Sequence, residues 1–123
     1  MKVWILEGFV TREHMEDNLA KQKAMREDVL KDENSKHLVE VANMLVETTE
    51  KLLAEHPDGY WMGYQGKVNY REFCHCARQT METLDGIQFR VVQAEISDKA
   101  KTWAGYKNPK VNEGVFKYLM ATA

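Results

Sequence analysis

The sequence predicts an α+β fold: a single domain spanning residues 1–123, with helices packed on a mixed or antiparallel sheet of about four strands. Three observations predict it. The length suits one domain with its own core. Some apolar segments alternate with period two while others repeat with the helical period of 3.6. A strand–cap–helix unit also recurs at three places.

The recurring unit starts at Val3-Trp4-Ile5-Leu6-Glu7-Gly8-Phe9-Val10-Thr11, at Trp61-Met62-Gly63-Tyr64-Gln65-Gly66-Lys67-Val68-Asn69, and at Trp103-Ala104-Gly105-Tyr106-Lys107-Asn108-Pro109-Lys110-Val111-Asn112. The last two share Trp-x-Gly-Tyr and Lys-Val-Asn. Thr11, Asn69 and Asn112 are good N-cap residues, because each side-chain oxygen can accept from an N–H left free in a first helical turn. Val10, Val68 and Val111 precede the caps, and Met15, Phe73 and Phe116 follow four residues on, as in a hydrophobic staple. In each strand Trp and Gly share a face, which predicts close approach of another element to the glycine.

The elements follow in order. After the first strand, Met15, Leu19, Met25, Val29 and Leu30 form the apolar stripe of a helix from Thr11 to about Asp32. Ser35 is the expected cap of a second helix to about His56, with Leu38, Val41, Ala42, Leu45, Thr49, Leu52 and Leu53 along one side. The break at Asn34-Ser35 leaves open one interrupted helix or an antiparallel pair. Pro57-Asp58-Gly59 stops it. Asn69 to Leu84 is the clearest helix, with Tyr70, Phe73, Cys74, Ala77, Met81 and Leu84 inward. Phe89 to Ile96 reads as a strand, and Ser97-Asp98-Lys99 as a reversal into another strand ending at Tyr106. A short final helix buries Val115, Phe116, Leu119 and Met120. The order is β-α-α-β-α-β-β-α.

Composition narrows the function classes. Cys74 and Cys76 stand too close for an unstrained bridge within a helix, and no apolar run has the length of a membrane span, so a cytoplasmic protein is expected. Cys74-His75-Cys76 is no metal motif, since neighbours on a helix point about 100° apart; Cys74 should be buried, with His75 and Cys76 outside. Nucleophile elbow, P-loop and dinucleotide fingerprint are all missing, so a binding protein without catalysis or cofactor is expected. An unrecognised small enzyme is the third reading.

Two sets of residues could bind. A helix N-terminus with nearby cations and aromatic rings suits a nucleotide-like anion. Tyr64, Lys67, Asn69, Arg71, Tyr106, Lys107, Lys110 and Asn112 are the candidates, provided that Lys67, Arg71, Tyr106 and Lys110 converge. The alternative is a protein–protein inhibitor, as phages and mobile elements make, covering the basic channel of a nucleic-acid-handling partner. From Thr11 to Asp58 seven Lys/Arg face twelve Asp/Glu, and Glu13, Glu16, Asp17, Glu27, Asp28, Asp32 and Glu33 are its contact candidates. The modest basic balance of the C-terminal segment argues against binding duplex nucleic acid directly. Aromatic strands around Tyr60–Tyr64 and Trp103–Tyr106 suggest self-association.

Overall fold

Each predicted cap opens a helix in the computed structural model of the chain, which describes residues 1–100, 103 and 105–121. Thr11 Oγ1 accepts from His14 N–H at 3.1 Å, Asn69 Oδ1 from Glu72 at 3.0 Å, and Asn112 Oδ1 from Val115 at 3.0 Å. The elements are β1 (Lys2–Val10), α1 (Arg12–Lys31), a 3₁₀ segment (Glu33–Leu38), α2 (Val39–Glu55), β2 (Tyr60–Lys67), α3 (Tyr70–Thr83), β3 (Phe89–Glu95), β4 (Lys107–Val111) and α4 (Glu113–Ala121). The fold is α+β with the predicted element order. Val68 and Val111 are 54% and 52% exposed, so hydrogen-bonded caps rather than apolar staples are what the structure displays.

The four strands form an antiparallel sheet in the order β2-β1-β3-β4. Lys2 pairs with Glu95 and Gly8 with Phe89, which fixes the two ends of the central pair. By contacts the chain divides into two compact units, Met1–Phe9 with Trp61–Ala123, and Val10–Tyr60.

In the first unit, one sheet face carries Leu6, Phe89 and Val91, covered by Phe73, Cys74 and Ala77 of α3 and Leu119 of α4. The other buries Val3, Ile5, Val92 and Ala94 with Ile96, Trp103 and Tyr106 packed on them. Gly63 and Gly66 admit the Trp103 indole: a Cβ on Gly63 would lie 2.6 Å from the ring, and one on Gly66 would fall upon it. Close approach was expected at Gly8, Gly63 and Gly105: the Tyr64 ring makes it at Gly8 and the Trp103 indole at Gly63, whereas a Cβ on Gly105 would meet nothing within 4 Å. Tyr64 packs into the α3 side and Gln65 lines a hollow with Cys76 and Thr80 of α3. Gly63 and Gly66, three positions apart, both face Trp103 while Tyr64 faces α3, so the period-two alternation is interrupted within β2.

The last strand differs from the expectation. Trp103 sits in a bend and Gly105 in a turn at φ +77°, so neither lies in the strand expected to end at Tyr106. Ala104 lies outside the described residues. The strand is Lys107-Asn108-Pro109-Lys110-Val111 instead, an edge where the missing N–H of Pro109 is tolerated. Asn108 takes φ 53°, beside a register shift opposite Gln93 and Glu95.

The second unit is a helical hairpin. In α1 the less exposed residues Met15, Leu19, Gln22, Arg26 and Val29 recur at alternating spacings of four and three. In α2 Val39, Ala42, Val46, Thr49 and Leu53 do the same. Those are the seams of a coiled-coil-like pair, and Thr49 donates across it to Gln22 at 2.7 Å. Met25 and Leu30 lie outside the seam, 42% and 62% exposed, because a seam is narrower than the apolar stripe expected for α1. Leu38, Val41 and Leu45 are likewise exposed. Asp32, not Ser35, makes the reversal: its carboxylate accepts from Asn34 N–H at 3.0 Å and from the Ser35 hydroxyl at 2.9 Å.

Candidate functional site

Strand alternation extends the apolar face of Val3 and Ile5 to Glu7, which is only 3% exposed. A buried carboxylate needs a counter-charge and donors. Its cross-strand partner Arg90 supplies both, with Nε donating to Glu7 Oε1 at 2.7 Å. The Tyr106 hydroxyl donates to Oε2. Burial, and then the hydrogen bond to Glu7, push the Tyr106 phenol well above its ordinary value of 10.0. Arg90 lies over Trp61, 4.2 Å from the ring centroid, and Phe9 meets that indole edge-on at 5.2 Å. The network ties Tyr106, just before β4, to the central strand.

Arg90 and Trp61 also border a cleft of about 370 Å³ at the start of α4, together with Asn112, Glu113, Phe116 and Lys117. It joins one capped helix start to two cations and an indole. Glu113 and the Glu7–Arg90 pair offset much of the positive charge there.

The residues expected around an anion are spread through their unit. Lys67 lines a hollow with Met1, Val3 and Trp103, at the Lys2–Glu95 end of the sheet. Asn69 and Arg71 are exposed at the start of α3, which follows. Asn112 donates its N–H to Val91 O, towards the Gly8–Phe89 end. The two helix starts therefore stand at opposite ends of the strands. Lys110 lines a separate hollow with Lys2, Gln93 and Glu95, and Lys107 is exposed on β4. Tyr64 stacks edge-on against Phe89 at 5.9 Å, whereas Tyr106 serves Glu7 on the opposite sheet face. None of the hollows described above holds two of Lys67, Arg71, Tyr106 and Lys110.

The acidic residues fall into a tighter pattern. At about 100° per residue, Glu13, Glu16, Asp17, Glu27 and Asp28 occupy an arc of about 120° on α1, centred roughly opposite the seam. All five are exposed, with Ala20 and Ala24 between the two acidic groups. Arg12 pairs with Glu16 at 2.7 Å, an exposed pair of little energetic weight. Asp32 is engaged in the reversal, and Glu33 opens the 3₁₀ segment.

Cys74 is buried and His75 exposed, while Cys76, expected outside, is half-buried against the hollow shared with Gln65. Among the described residues no three His, Cys, Asp or Glu gather as a metal site, and no helix is long and apolar enough to cross a membrane. Glu7 and Arg90 escaped the sequence reading. Their signal was available: opposite charges placed within the apolar alternation of two strands, at Val3-Ile5-Glu7 and Arg90-Val92-Ala94.

No protein-family model matches the chain, nor does any curated protein or solved structure.

Proposed function

We propose that this is a binding protein that presents the acidic outer arc of its helical hairpin to a basic surface on a larger protein. The observation that carries the reading is the placement of Glu13, Glu16, Asp17, Glu27 and Asp28 on one exposed arc, away from the α1–α2 seam. A regular helix displays such carboxylates at fixed spacing, which suits a groove lined with Lys and Arg. A channel that ordinarily holds a nucleic-acid backbone has that chemistry. An occupant of such a channel acts as an inhibitor by exclusion.

The test is a tagged pull-down from the source cells against a variant with Glu13→Gln, Glu16→Gln, Asp17→Asn, Glu27→Gln and Asp28→Asn. The wild type should retain a basic partner, cross-linking to it through α1, and lose it as salt rises. The neutralised protein should not retain it. Equal recovery by both proteins, or cross-links confined to other elements, would refute the reading.

The cleft at the start of α4 supports a second reading, an anionic nucleotide-like ligand, because Trp61, Arg90, Lys117 and the Asn112 cap all border it. Calorimetry against mono-, di- and cyclic nucleotides decides this reading. Binding that is lost in Lys117→Ala supports it, and no heat with any nucleotide excludes it.

A further inference from the structure

A further hollow, which shares Gln88, Phe89 and Phe116 with the cleft at the start of α4, lies where α3 ends and the chain turns into β3. Its volume is about 480 Å³, within the range of small-molecule sites. Phe89 and Leu119 form a buried floor, and Met81, Leu84, Ile87 and Phe116 expose apolar surface around it. Met120 at its edge is 55% exposed. Gly86 turns there at φ +74° with nothing within 4 Å of where its Cβ would be, so the turn leaves the mouth open.

Acidic side chains outnumber basic ones at the mouth. Glu82 and Asp85 are exposed beside it. The final turns of α3 and α4 also border it, and helix C-termini carry partial negative charge that favours cations. The one cationic side chain in the lining, Arg78, lies over the Tyr118 ring at 5.3 Å.

From the apolar floor and the acidic mouth together, we infer a binding site for a small cationic amphiphile, an aromatic or aliphatic body carrying an ammonium group. The body displaces water from Phe89, Leu119 and Phe116, while the ammonium stays at the mouth between Glu82 and Asp85.

Three probes of one shape test it: 2-naphthylmethylamine, 2-naphthylmethanol and 2-naphthoate, followed by amide shifts in nitrogen-15 spectra of the whole protein. The amine should move the amides of Leu84–Phe89 and Phe116–Met120, and bind about tenfold more tightly than the naphthoate, a modest electrostatic preference at a solvated mouth. In Glu82→Gln/Asp85→Asn, two exposed positions that leave the fold intact, the amine should fall to the affinity of the alcohol, which itself should not change. Shifts with none of the three probes would overturn the site. Naphthoate binding as tightly as the amine, or an amine affinity unchanged in the double variant, would overturn the cationic assignment.

Discussion

The hydroxyl of Tyr106 donates to the carboxylate of Glu7 across 99 positions of the chain, so the residue just before β4 is anchored to the strand at the centre of the sheet. Arg90 completes the pair from the neighbouring strand.

Glu7 is the costliest of these to remove. Glu7→Ala would leave Arg90 and Tyr106 without their acceptor in a largely dry site. Arg90 keeps a side-chain exposure of 29%, which moderates the penalty to about 2–3 kcal/mol. Tyr106→Phe, losing one hydrogen bond, should cost about 1 kcal/mol. Urea denaturation checks both values, and their order is the stronger expectation.

Alkaline stability should depend on the same phenol. Its folded pKa lies above the unfolded value of about 10, so the folded state favours the protonated form. That contribution is fully present below about pH 10 and is lost as pH rises through the folded value. In an ultraviolet phenolate titration Tyr106 should ionise late, together with unfolding; burial raises Tyr70 as well, so Tyr106→Phe should shrink the late step rather than abolish it.

Gly66→Ala should destabilise the sheet by about 1–3 kcal/mol, the cost of overpacking, because the added methyl group meets the Trp103 indole. The cost should shrink in a Trp103→Leu background. A double-mutant cycle in urea measures that coupling; an additive result would mean that Trp103 is not what the glycine accommodates.

Each cap should behave alike. Thr11→Ala, Asn69→Ala and Asn112→Ala should each lower stability by about 1 kcal/mol, while Ser35→Ala, whose residue opens no helix, should cost less. Thermal unfolding followed by circular dichroism distinguishes the four.

By itself the sequence determined the local structure. Thr11, Asn69 and Asn112 announce helix starts because a cap is made within three residues, and Phe73-Cys74-Ala77 announces a buried helix face because periodicity is a local property. The helical break near Asn34 was legible too, although its capping residue proved to be Asp32. The carboxylate arc on α1 could also be read from spacing alone. What only the tertiary structure decided is which distant groups meet. Trp103 and Tyr106 look like strand residues by their likeness to Trp61 and Tyr64, but the open turn at Gly105 lays them across Gly63, Gly66 and Glu7. The strand order sends the starts of α3 and α4 to opposite ends of the sheet. Two segments with the same local instructions can therefore serve different ends, because capping and periodicity act over a turn of helix, whereas strand pairing and burial join residues about a hundred positions apart.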